Sequence, residues 1–100
     1  MIIKEKTVLD PNLEFVKIVV DIEKNILSAI CELHRDCADE LENNGSNSKD
    51  LWGANLYPKD GKIEFVSLIN IRPQDSNRSM EIQNPEIRKK VEAIIKTLIS

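Results

Sequence analysis

The stretch Val16-Lys17-Ile18-Val19-Val20-Asp21-Ile22-Glu23-Lys24-Asn25-Ile26-Leu27-Ser28-Ala29-Ile30-Cys31-Glu32-Leu33 decides the fold, because two periods compete in it. Ile22, Ile26, Ile30, Leu33, Cys37 and Leu41 recur at three and four residues, the spacing of one long amphipathic helix closed by Asn44-Gly45. The same chain also folds back at Lys24-Asn25, where asparagine tolerates the positive φ of a tight turn. Folding there sets Ile22 opposite Leu27, Val20 opposite Ala29, Ile18 opposite Cys31 and Val16 opposite Leu33, apolar on apolar on one face. The other face pairs Asp21 with Ser28, Lys17 with Glu32 and Val19 with Ile30, and is only partly polar. The β-branched run from Val16 to Ile22 suits a strand better than a helix. A hairpin is therefore the expected form, with one helix over residues 20–43 as the alternative. After the hairpin, a short helix begins near Arg35 or Asp36, carries Cys37, Ala38 and Leu41 inward, and stops at Asn44-Gly45.

Outward from that stretch the signals are clearer. Residues 43–50 form a polar loop. Leu51–Tyr57 and Ile63–Ile71 read as strands around Pro58-Lys59-Asp60-Gly61, and Asp-Gly is a strong hairpin signal. A two-residue turn at Asp60-Gly61 sets Leu56 opposite Phe65 and Ala54 opposite Ser67. The 63–71 run is apolar on both faces, which places it centrally. Residues 73–80 form a polar connection. Asn84-Pro85-Glu86 starts the last helix, with asparagine as cap and proline at the first position. Its inward stripe is Ile87, Val91, Ile94, Ile95 and Leu98. Residues 1–6 add an edge strand. The fold class expected is α+β: one domain over residues 1–100, an antiparallel sheet of four or five strands built from two β-hairpins, with a short middle helix and a C-terminal helix packed on one face.

Composition bounds the function. With 41% hydrophobic and 31% charged residues the chain has a core and is not disordered. A net charge of −3 disfavours a dedicated nucleic-acid binder, which needs a basic face. The basic residues Arg88, Lys89, Lys90 and Lys96 read as a solvated helix face. No apolar run is long enough for a membrane helix, and the first residues lack the order of a signal peptide, so the expected compartment is the cytoplasm. There Cys31 and Cys37 are expected as thiols. Cys31-x-x-His34-x-x-Cys37 offers three metal ligands where a closed zinc site takes four, so the cysteines read as small core residues.

Several strings identify a relationship. Val19-Val20-Asp21-Ile22-Glu23-Lys24, Glu32-Leu33-His34, Asp50-Leu51-Trp52-Gly53-Ala54-Asn55-Leu56-Tyr57-Pro58 and Ile69-Asn70-Ile71-Arg72-Pro73 resemble a small uncharacterised prokaryotic family of chains of this length, a domain of unknown function. Asn77-Arg78-Ser79 and Pro85-Glu86-Ile87-Arg88 extend the match. The resemblance implies no activity, ligand or catalytic residue. The chain departs from the family pattern at Ser28 to Cys31, where glycine is usual, and at Cys37.

The chemistry-bearing candidates are polar residues in strand settings. On a strand, Glu32 and His34 project from one face with Asp36 just beyond, and these three are the catalytic candidates. Asn70 and Arg72 share a face of the 63–71 run and, with Arg78 and Asn55, are the ligand-binding candidates, suited to a phosphate or carboxylate. Glu32, His34, Asp36 and Asp21 form a weak divalent-metal set, and no cofactor is implied. The alternative role for all of them is structural, with Arg72 pairing an acid and His34 and Asn70 satisfying backbone groups. No phosphate-binding glycine loop and no nucleophile motif occurs. The first functional reading is a small binding or protein-interaction module without catalytic activity, its partner a second copy of the chain or another protein. The second is a small, metal-assisted hydrolase or transferase using the Glu/His/Asp plus Asn/Arg cluster. A weak nucleic-acid binder comes third.

Overall fold

The computed structural model describes residues 1–99. Five antiparallel strands form one sheet in the order β1-β3-β2-β4-β5: β1 (Ile2–Ile3), β2 (Val16–Asp21), β3 (Ile26–Ala29), β4 (Leu51–Tyr57) and β5 (Lys62–Glu64). Helix α1 (His34–Asn43) and helix α2 (Pro85–Leu98) pack on it. The fold is α+β as the sequence predicts, and the hairpin reading of the first half holds.

The helices, however, do not share a face. Side chains alternate along a strand, and β2 separates them cleanly. Val16, Ile18 and Val20 join Leu27, Ala29, Trp52, Ala54 and Leu56 beneath Val91, Ile94, Ile95 and Leu98 of α2. Val19 joins Leu51 on the opposite side, beneath Cys37, Ala38 and Leu41 of α1. Covering both faces is what makes the β2 run nearly continuous in aliphatics rather than alternating.

Both hairpins are displaced by two residues from the expected register. Val20 pairs with Leu27 and Ile18 with Ala29; Leu56 pairs with Ile63 and Tyr57 with Lys62. The reason is common to the two. Each loop has four residues and ends in a left-handed one, Asn25 at φ 58° and Gly61 at φ 71°. Each is closed by a bond across five residues, Asn25 N–H to the Asp21 carbonyl at 3.0 Å and Gly61 N–H to the Tyr57 carbonyl at 2.8 Å. A slip of two leaves every side chain on its intended face.

Residues 63–71 are not a central strand. β5 is a three-residue edge strand, after which the chain makes 3-10 turns at Leu68–Asn70 and Pro73–Asp75. The cysteines also differ from expectation. Cys31 and Cys37 are joined in a disulfide, with Cα atoms 5.8 Å apart. It ties the end of the first hairpin to the first turn of α1.

Candidate functional site

Strand β4 organises the polar residues. β5 covers only Asn55 to Tyr57, so the first half of the β4 edge has no strand beside it. The 3-10 segment fills that place with side chains. Buried Asn70 accepts from Gly53 N–H through Oδ1 at 2.8 Å and donates from Nδ2 to the Gly53 carbonyl at 2.9 Å. A carboxamide thus makes the two bonds a neighbouring strand would make. Nδ2 also reaches the Met80 carbonyl at 3.0 Å. Gly53 is required for this approach: a Cβ there would lie 2.5 Å from Ser67 Cβ and 2.6 Å from Ser67 Oγ.

Arg72 continues the pattern. Its Nη2 donates to the Leu51 carbonyl at 2.7 Å and its Nη1 to the Ser48 carbonyl at 2.9 Å. The guanidinium stacks 3.8 Å above the Trp52 ring, a cation–π contact. Burial lowers its pKa, opposed by the charges of Asp75 and Asp50; an arginine so placed is still a cation at neutral pH.

His34 reaches β4 from α1, with Nε2 2.9 Å from the Ala54 carbonyl. Its pKa is lowered, chiefly by burial, with the Lys17 charge adding to the shift. The Ala54 carbonyl and the Asn55 side chain oppose it. Asn55 donates weakly to the Val66 carbonyl at 3.5 Å, and its Oδ1 is buried without a hydrogen-bond partner.

The structure therefore brings four of the predicted residues, His34, Asn55, Asn70 and Arg72, to one strand, where three of them grip its backbone. It does not bring the acids there. Glu32 and Asp36 are exposed and lie beyond the end of β3, so they share no strand face with His34. Asp36 instead accepts the Leu33 N–H at 3.2 Å at the start of α1. Asp21 is wholly buried. Its Oδ1 accepts the N–H groups of Glu23 and Lys24 at 2.9 Å, and Oδ2 accepts Ser46 Oγ–H at 2.6 Å. It shapes the first turn and pins the loop after α1. Arg78 is exposed. Among the described residues no three His, Cys, Asp or Glu side chains gather where they could hold a metal ion. The Cys-His-Cys spacing is accounted for by the disulfide.

Sequence reasoning missed Asn77. It is buried, donates from Nδ2 toward the carbonyls of Asn70 (2.7 Å), Ser79 (2.9 Å) and Glu81 (2.9 Å), and accepts Gln83 N–H at 2.8 Å. Its place between Arg72 and Met80, in a polar connection rich in turn residues, is the signal that could have found it.

Two of the concavities adjoin these residues or the first hairpin. One, of about 420 Å³, lies between α1 and the 3-10 segment, with Arg35, Lys49, Arg72 and Asp75 on its walls. Arg35 is already paired with Asp39 at 2.9 Å and with Glu42, and Arg72 is held as described. The other, of about 340 Å³, lies at the open end of the first hairpin, walled by Leu13, Phe15, Lys17, Ile30, Cys31 and Glu32. Phe15 is 47% exposed and Ile30 51%. Next along the chain, Leu33 is 59% exposed. Ile30 holds φ at 61°, a conformation that β-branched residues rarely adopt.

The model of the family described as Protein of unknown function (DUF5674) matches residues 3–98. The chain belongs to that family. No curated protein and no solved structure matches it. Membership of DUF5674 assigns no residue a role, so the function has to be argued from the geometry.

Proposed function

We propose that this DUF5674 member is a small, non-catalytic interaction module that docks a second copy of itself through the face around Leu13, Phe15 and Ile30. The observation that carries this reading is Ile30. An isoleucine in the left-handed region is strained by about 1–2 kcal/mol, and here the strained residue presents half of its side chain to water beside an exposed phenylalanine. The backbone there disfavours a β-branched residue, and half of the residue's surface stays exposed in the isolated chain. Lys17 donates one Nζ–H to the Glu32 carbonyl of its own chain at 2.6 Å and has two further donors on the same concavity as the exposed Glu32 side chain, which lets each charge also meet its opposite in an isologous contact.

What supports binding over the hydrolase or transferase reading is that Asn70 and Arg72 are engaged with the fold's own backbone, and that Glu32 and Asp36 lie away from them. The proposed compartment is the cytoplasm; no helix among the described residues is long and apolar enough to cross a membrane. Sedimentation velocity over a wide concentration range tests the proposal. Wild type should shift from monomer to dimer, and Phe15→Ser should remain a folded monomer over the same range. A wild-type chain that is monomeric throughout would remove the reading.

A further inference from the structure

We propose that Cys31–Cys37 is a reversible thiol–disulfide switch, opened by a dithiol reductant that approaches through the docking face, and that opening it frees residues 30–33. The consequence for self-association rests on the docking reading above, whereas the switch stands on local geometry.

The two sulfurs are unequally placed. Cys37 is 1% exposed, in the first turns of α1, whereas Cys31 is partly exposed and forms part of the wall of the concavity with Leu13 and Phe15. An incoming thiolate therefore meets Cys31 Sγ. Cys37 is then the leaving group. The Lys17 carbonyl lies 3.7 Å from Cys31 Sγ and 4.0 Å from Cys37 Sγ, placed to accept from either S–H once the bond opens.

The bond is also local. The cysteines are six residues apart, so the cross-link restrains a short loop rather than the chain as a whole. Ala38 and Leu41 hold α1 to Val19 and Leu51 without it. What it does restrain is the piece carrying Ile30 in its left-handed conformation and the exposed Glu32 and Leu33. In a cytoplasm, disulfides are usually transient and redox-responsive.

The chemistry balances with an external dithiol as co-reactant. One of its thiolates attacks Cys31 Sγ; a new S–S bond forms as the Cys31–Cys37 bond breaks, and Cys37 leaves as a thiolate and takes up a proton. The second thiolate of the reductant then attacks the reductant's own sulfur in the mixed disulfide. Cys31 is released and protonated, and the reductant departs as a disulfide. Two electrons and two protons have passed to the protein. Ile30 then relaxes out of the left-handed region. A second copy seated on the face covers Cys31, so docking and reduction exclude each other.

The test treats the full chain with dithiothreitol at neutral pH without denaturant, followed by alkylation, intact mass, circular dichroism and hydrogen exchange. Cys31 should become alkylated in the folded chain, and buried Cys37 once urea is added after the reductant is removed. Before urea the circular dichroism should be unchanged, and exchange should rise about tenfold or more across residues 30–33 while β2 and β4 keep their protection. A disulfide that stays closed until urea unfolds the chain, or reduction that raises exchange throughout the sheet, would overturn the switch. The double variant Cys31→Ser, Cys37→Ser must reproduce the reduced pattern; matching the oxidised one also overturns it. Sedimentation of both forms separates the two ideas. Weaker association after reduction supports the link. Equal association overturns the link alone, and no association in either form overturns the docking reading alone.

Discussion

Replacing Ile30 with asparagine separates the two demands on that position, because the account predicts opposite signs for them. Asparagine adopts the left-handed region far more readily than a β-branched residue, so the substitution relieves about 1–2 kcal/mol of backbone strain. Ile30 is 51% exposed, so about half of the stabilisation of a fully buried isoleucine is lost, roughly 1 kcal/mol. The net effect on the monomer is therefore between zero and about 1 kcal/mol of added stability, where a polar replacement of a partly buried isoleucine elsewhere would be destabilising. In a domain of this size a gain of 1 kcal/mol raises Tm by roughly 4–8 °C. Thermal unfolding at a concentration where the chain is monomeric reads that term. Sedimentation at high concentration reads the other, and there the variant should associate more weakly than wild type. A loss of more than about 2 kcal/mol in the monomer would show that Ile30 serves the fold, and the reasoning from its backbone would be refuted.

Three further outcomes follow from the β4 edge. Asn70→Ala leaves Gly53 N–H and the carbonyls of Gly53 and Met80 without their partner; at about 1–3 kcal/mol for a buried unsatisfied group, urea titration should show a loss of at least 3 kcal/mol, and a loss below 1 would contradict the strand-substitute role. Gly53→Ala forces a Cβ to 2.5 Å from Ser67 Cβ and should cost about 1–3 kcal/mol by overpacking, measured as a lower denaturation midpoint; an unchanged midpoint would mean the segment moves freely. His34 has a lowered pKa in the folded chain, chiefly from burial, so the unfolded chain binds its proton more readily. Stability from this residue is complete above its ordinary value of about 6.5 and is lost as pH falls below it. His34→Gln should flatten the stability profile between pH 7 and 5, and an unaltered slope would place the titration elsewhere.

Much of the fold is legible in the residues. Asn25 and Gly61 mark both turns, Asn84-Pro85 marks the start of α2, and Cys37, Ala38 and Leu41 mark the inward side of α1. The exact register is not, because a two-residue and a four-residue loop around the same turn residue put the same side chains on the same faces. That α1 and α2 take opposite faces is visible afterwards in Val16 to Val20, where a one-sided strand would carry more polar residues than Lys17 alone. The Ile63–Ile71 run misleads for a physical reason: Ile69 packs against the α1-side core, yet the hydrogen bonding of that edge passes through the Asn70 side chain instead of a backbone ladder. Asn70 and Arg72 stand out in the sequence as polar residues in an apolar run, but sequence spacing does not distinguish an amide holding a ligand from one holding Gly53. The disulfide is not legible because the expected compartment favours thiols, and the spacing of Cys31 and Cys37 alone does not show that the end of the hairpin brings their Cα atoms to 5.8 Å.

The most direct measurement is a dilution series of the isotope-labelled chain followed by amide chemical shifts. Concentration-dependent shifts should cluster at residues 13–17 and 30–33, while the amides of Gly53, Asn70 and Arg72 stay still. Shifts centred on the cavity of Arg35, Lys49 and Arg72, or none at any concentration, would contradict the assignment of binding to the Ile30 face.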